Sequence, residues 1–139
     1  MGYIPDNTGD NISAKNPNYC ELTALYWTWK NLDCEYIGLC HYRRYFGHKV
    51  HSKDIEKKKG AIFTKTDHEK LLTKYDVILP KKRNYYIETV RSQYEHAHFK
   101  KDLDETEKII AEKYPGYSDA FTKVMNRRKL YILNMFVMK

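Results

Sequence analysis

The sequence predicts an α/β fold in which a short, mainly parallel sheet is flanked by helices. Two short apolar runs, 36–40 and 77–79, have the length and boundaries of buried strands. Segments with helical spacing or capping signals alternate with them, as a layered sheet with crossover helices requires. A strand-like segment, 131–138, supplies a third strand at the end of the chain. The 139 residues fit one domain, and 42% hydrophobic with 31% charged residues suits a packed core rather than disorder.

The elements follow in order. Residues 1–16 are rich in Asp, Asn, Gly, Ser and Pro and predict turns. Asn18, with Glu21 three positions on, reads as a capping box for a helix. Leu22, Leu25, Tyr26 and Trp29 give that helix one apolar face up to Asn31, with Trp29 a packing residue on it. A strand over 36–40 comes next, and the basic stretch 43–60 reads as loop. Thr66 and Glu69 form a second capping pattern, for a helix through Lys74. A strand at 77–79 stops at Pro80. Helices are then predicted over 86–98, from a cap at Asp102 and Glu105 to Tyr114, and from Ser118 to Asn126. Three strands make a thin sheet, so the chain reads as the middle of a larger sheet, with open edges that favour self-association.

The 25 Lys and Arg outweigh 18 Asp and Glu, a formal charge of +7. That excess suits an anionic partner such as a nucleotide diphosphate or an anionic lipid, though lysine runs such as Lys57-Lys58-Lys59 also serve as plain solvated surface. Nucleic acid is not expected, because none of its recognition motifs accompanies the charge. Cys20, Cys34 and Cys40 form no CxxC pair and suit a reducing compartment. No stretch approaches the roughly 20 apolar residues of a membrane span, and residues 1–12 lack the pattern of a signal peptide. A cytoplasmic protein is expected, either free or against the inner face of the membrane.

Three stretches carry a family resemblance. The first is the loop from Asp6 to Ser13, followed by Asn16-Pro17 and the helix segment Tyr19 to Asn31. The second is Tyr36-Ile37-Gly38-Leu39-Cys40-His41-Tyr42-Arg43-Arg44-Tyr45-Phe46. The third is Asn126-Arg127-Arg128 leading to Asn134-Met135-Phe136-Val137-Met138. In this order they closely resemble the DUF4422 family, domains of bacterial capsular and exopolysaccharide biosynthesis proteins that are regarded as glycosyltransferases. The resemblance implies a partial GT-A-like nucleotide-sugar fold, a nucleotide-sugar donor, and a saccharide or lipid-linked saccharide acceptor. Family members generally start with a strand upstream of Met1 and continue past Lys139. The chain is therefore expected to be a single, incomplete glycosyltransferase domain, and the alternative is a truncated, non-catalytic binding or assembly module.

Within that resemblance, His41, Arg43 and Arg44 are the sharpest candidates. They follow a predicted strand at the end where open α/β sheets place ligands. Arginine forks match phosphate oxygens, which assigns Arg43 and Arg44 to the donor diphosphate and His41 to acid, base or phosphate-donor work. The alternative is two surface arginines and a satisfied histidine. Asp6, Asn7, Asp10, Asn11, Glu21, Trp27, Lys30 and Asn134 are candidates for sugar or nucleotide contacts, and turn-capping or packing is the plain alternative for them. Asp102-Leu103-Asp104 has the form of a metal-binding DxD but reads as a helix cap. No metal site or cofactor is assigned, and manganese or magnesium is not favoured.

Overall fold

The structure, a computed structural model, describes residues 3–139. Its helices are α1 (Asn16–Tyr19), α2 (Leu22–Asn31), α3 (Ile55–Lys59), α4 (Lys65–Leu72), α5 (Val90–Ala97), α6 (Lys100–Lys113) and α7 (Ser118–Met125). Its strands are β1 (Ile37–Leu39), β2 (Val77–Ile78), β3 (Arg83–Asn84), β4 (Lys129–Leu130) and β5 (Phe136–Met138). The chain forms two compact units, one running through Ile78 and taking in Phe136–Lys139, the other Leu79–Met135.

In the first unit, β5 lies between β1 and β2 and is antiparallel to both, pairing Gly38 with Val137 and Ile78 with Val137. The mainly parallel sheet expected from sequence is therefore corrected. β1 and β2 do run in the same sense, with helices in the connection between them, as a parallel crossover would have it. The last strand enters the gap in the opposite sense and takes both sets of hydrogen bonds. The expected third strand over 131–138 is confined to 136–138, because Leu133 and Asn134 have left-handed backbones, φ +74° and +51°. Phe46, Leu72 and Val137 form the buried apolar centre of this unit, while Val77 is 44% exposed. An apolar run reads alike whether one or both faces of its strand are covered.

Helix boundaries show which local signals win. Asn18 does not cap α2; it lies inside the single turn α1, which Cys20 ends at φ +46°. Residues 55–59, within the basic stretch expected as loop, form α3, because the Asp54 carboxylate accepts from the Glu56 and Lys57 amides. The box expected at Thr66 and Glu69 sits two residues earlier, as Thr64 and Asp67, reciprocally bonded at the start of α4.

In the second unit, β3 and β4 form an antiparallel two-stranded ladder, pairing Arg83 with Leu130 and Asn84 with Lys129. The helix expected from Tyr86 starts at Val90 behind a Thr89–Ser92 capping box. α6 begins after Phe99 with no side-chain cap, so the cap assigned to Asp102 is also corrected. Asp104 instead binds Lys100 Nζ at 2.7 Å and the Arg91 guanidinium at 3.4 Å. Arg91 also pairs with Glu107 and Glu95, and these acids, Glu107 foremost, hold its guanidinium above the usual arginine range. That cluster fastens α5 to α6 around buried Val90 and Leu103. Among the described residues no helix is long and apolar enough to cross a membrane.

Candidate functional site

The strand-end motif folds as a tight turn. After β1, His41 and Arg44 form an isolated antiparallel bridge, and the Arg44 amide donates to the His41 carbonyl at 3.0 Å. The Arg43 amide donates to His41 Nδ1 at 3.3 Å. With Nδ1 accepting, a neutral His41 carries its proton on Nε2 and offers it outward as a donor. The Tyr42 ring stacks on the imidazole, centroids 4.4 Å apart, and the Arg43 guanidinium lies 4.6 Å from the Tyr42 ring centre. Arg43 and Arg44 are both exposed, and no carboxylate of the described residues pairs with either. Unpaired guanidinium groups held on a stacked turn are ready to take an external anion.

Arg43 also lines a cleft of about 620 Å³, whose other walls include Phe46, His48, Ile55, Lys58 and Lys59. The chain closes this cleft on itself. Gly47 bridges Ile62, and the His48 amide reaches the Ala61 carbonyl at 2.8 Å. A side chain at position 47 would meet that carbonyl at 2.6 Å, so the close approach requires glycine. Lys59 is shared with Glu56 at 2.8 Å, and His48 lies 3.9 Å from Asp67. The Thr64 amide and hydroxyl, by bonding the Asp67 carboxyl, hold it below the usual aspartate range. Lys58 and Lys59 were readable from sequence only as solvated charge. The signal that could have raised them was the Asp54 cap, which turns their run into a helix facing Arg43. Arg44 does not line the cleft.

The N-terminal loop is tied to α2. Asp6 accepts from the Thr23 hydroxyl at 2.6 Å and from the Ser13 hydroxyl at 2.9 Å, which together, Thr23 first, hold its carboxyl below the usual range. Asn16 donates to Thr23 Oγ1 at 3.1 Å, and Thr23 is 1% exposed. Asp10 accepts from the Tyr26 hydroxyl at 3.2 Å, and its backbone exchanges bonds with the Asn31 amide group. Burial, then the Asp10 carboxylate, pushes the Tyr26 hydroxyl up. Trp27 is half-buried and donates its indole N–H to the Thr8 carbonyl at 2.8 Å. Asn11 closes a local turn through Gly9 and Ser13, while Asn7 and Glu21 are exposed.

Trp29, expected to pack, is 68% exposed, with Lys30 Nζ 3.8 Å from its ring centre. It shares an open apolar surface with Ile12, Tyr19, Leu22 and Tyr26, so the predicted face of α2 exists but lies uncovered. The bonds that hold the loop run to Ser13 and α2, and those that hold residues 41–44 stay within that turn. Asn134 belongs to the other unit. Among the described residues no three His, Cys, Asp or Glu side chains converge as a metal-ligand set.

The sequence profile of DUF4422, a domain of unknown function, matches residues 1–139. The chain belongs to the DUF4422 family. Among solved structures, this DUF4422 chain is similar to WbbM, described as a bifunctional glycosyltransferase in its apo form. The two share 35% identity and a TM-score of 0.80, over 96% of this chain and 27% of the WbbM chain. The DUF4422 chain thus spans about a quarter of that relative's length. None of the curated proteins matches it.

Proposed function

We propose that this chain is a glycosyltransferase module with a GT-A-like fold that moves a sugar from a nucleotide-sugar donor to a saccharide acceptor in bacterial surface polysaccharide synthesis. The observation that carries the proposal is the similarity to WbbM, 35% identical over 96% of the chain, joined to an unpaired basic turn at the end of β1. In glycosyl transfer the bond to the donor diphosphate breaks and negative charge grows on its oxygens, so fixed donors placed there lower the barrier. Arg43, Lys58 and the Nε2–H of His41 supply that stabilisation in this reading. His41 acts as a donor rather than a base, since the nitrogen free to accept is taken up by the Arg43 amide.

Asp6 and Trp27 hold the N-terminal loop in shape. Asn7, Asp10, Asn11, Glu21 and Lys30 remain candidates for sugar or nucleotide contacts, as does Asn134. Arginine carries the donor charge, so a divalent cation is not required. The module works in the cytoplasm, where a lipid-linked acceptor would bring it to the inner face of the membrane, and self-association accompanies this reading.

Calorimetry across a panel of nucleotide sugars tests the proposal. Arg43→Ala should weaken donor binding by about 1.5–3 kcal/mol, the size of a hydrogen bond to a charged group, and Arg44→Ala by less. Arg43→Lys should recover only part, because the fork is lost. Failure of every nucleotide sugar to bind, or unchanged affinity in the Arg43→Ala, Lys58→Ala double variant, would overturn it.

A further inference from the structure

The net charge of the chain is not spread over its surface. Residues 79–87 and 126–131 contain Lys81, Lys82, Arg83, Arg127, Arg128 and Lys129 and no acid; outside them 19 basic residues face 18 acidic ones. Nearly all of the +7 charge therefore arises in two short segments. The β3–β4 ladder places these segments side by side. Its hydrogen bonding continues beyond the paired residues, from the Tyr85 amide to the Arg128 carbonyl at 2.8 Å and from the Val90 amide to the Arg127 carbonyl at 2.7 Å. Lys82, Asn126, Arg127, Arg128 and Lys129 line one open cleft of about 600 Å³. None of the six cations forms an ion pair with a carboxylate of the described residues.

Aromatic and apolar side chains interleave with the charge. Lys82 Nζ lies 4.9 Å from the Tyr131 ring centre, and the Arg83 guanidinium 5.6 Å from that of Tyr85. Between the ladder and α5 the chain makes a three-residue turn, the Ile87 amide donating to the Tyr85 carbonyl at 2.7 Å, with Tyr86 at φ +60°. A left-handed tyrosine costs free energy and is held by its surroundings. Its effect is to set Tyr86 and Ile87 in water, 76% and 87% exposed, beside the cations.

We propose that this face of the second unit docks on an anionic lipid bilayer. Four unpaired cations that line one cleft, Lys82, Arg127, Arg128 and Lys129, are complementary to a negatively charged leaflet, and tyrosine with a long aliphatic side chain suits the headgroup boundary, where a ring keeps one end wet. An exposed isoleucine gains nothing from phosphates of a nucleic acid, which leaves the bilayer as the better-matched partner. The proposal gives the membrane-side acceptor of the preceding section a physical surface, but its test needs no donor and no turnover.

The experiment is co-sedimentation of the whole chain with vesicles of phosphatidylcholine, with and without phosphatidylglycerol. Binding is expected only with the anionic lipid. The triple variant Arg127→Ala, Arg128→Ala, Lys129→Ala should lose roughly 100-fold in partitioning, at about 1 kcal/mol per cation near the surface. Ile87→Ser should lose about tenfold, and that loss should persist at raised salt. The control Lys101→Ala, Lys108→Ala, Lys113→Ala removes the same charge from α6 and should bind as the parent does. Melting curves establish that each variant is folded. Equal binding to neutral vesicles, equal loss in the control, or a single-stranded oligonucleotide outcompeting the vesicles would overturn the proposal.

Discussion

Replacing Thr23 by valine tests the connection between the N-terminal loop and α2 with almost no change of shape. Thr23 is 1% exposed, donates to Asp6 at 2.6 Å and accepts from Asn16 at 3.1 Å. Valine fills the same volume, so no cavity term enters. A hydrogen bond to a charged group is worth about 1.5–3 kcal/mol. The freed Asp6 oxygen is partly exposed and finds water, and Asn16 keeps its bond to the Cys20 carbonyl at 3.0 Å, which favours the lower half of that range. A loss of about 2 kcal/mol is expected, or roughly 7 °C in Tm for a chain of this length unfolding as one.

Urea and thermal unfolding followed by circular dichroism measure it, with Thr23→Ser as the variant that keeps the hydroxyl. The Asp6 carboxyl lies below its ordinary value of 3.8 in the folded chain, so the folded state binds fewer protons than the unfolded one. Its contribution is complete above that value and is lost as pH falls through the lower folded value. The gap between parent and Thr23→Val should narrow accordingly in acid. A loss under about 0.5 kcal/mol at neutral pH, or a gap between parent and Thr23→Val that does not narrow in acid, would refute the reasoning, since either puts the hydroxyl outside the range for a bond to a charge.

Other outcomes follow from the same geometry. Gly47→Ala pushes a methyl against the Ala61 carbonyl at 2.6 Å and should cost about 1–3 kcal/mol in urea unfolding while weakening donor binding at the cleft. Thr64→Ala removes the capping box of α4 and should cost about 1 kcal/mol, with the helix signal fraying first. Leu72→Ala, at 1% exposure, should cost about 2–5 kcal/mol by the same measurement. Donor binding measured with and without a strong chelator should be equal, and recovery on adding manganese or magnesium would defeat the assignment of the diphosphate to arginine.

Legibility in the sequence tracked the range of the interaction concerned. The spacing of Leu22, Leu25, Tyr26 and Trp29 located α2 and its end at Asn31, though not its start, which lies past the Asn18 cap; periodicity tells which side is apolar and not whether anything covers it, hence the exposed Trp29. Thr64-Lys65-Thr66-Asp67-His68-Glu69 offers two overlapping capping frames. A contact distant in sequence, the Phe63 amide on the Phe46 carbonyl at 2.9 Å, secures the chain just before the earlier one. β3 and β4 are two residues each, Arg83-Asn84 and Lys129-Leu130, too short to carry a pattern. At the candidate site, the place of His41, Arg43 and Arg44 at the end of an apolar strand was readable, but the tight turn closed by His41 and Arg44 was not, because backbone bonds make it. The engagement of Asp6 by Thr23 was not, because the partners are 17 residues apart and neither type announces the other.

The position of β5 has a consequence for synthesis. The first unit is discontinuous: β1 and β2 have no bonds to each other, and both wait for Phe136–Met138. During translation the second unit, whose segments are contiguous, has every residue it needs before the sheet of the first can close. The nascent first unit therefore holds two unpaired strand edges for the time taken to make nearly 60 further residues, from Ile78 to Phe136. Until then any other extended chain can compete for the slot that β5 finally fills, which makes that interval the one in which a chaperone would matter most.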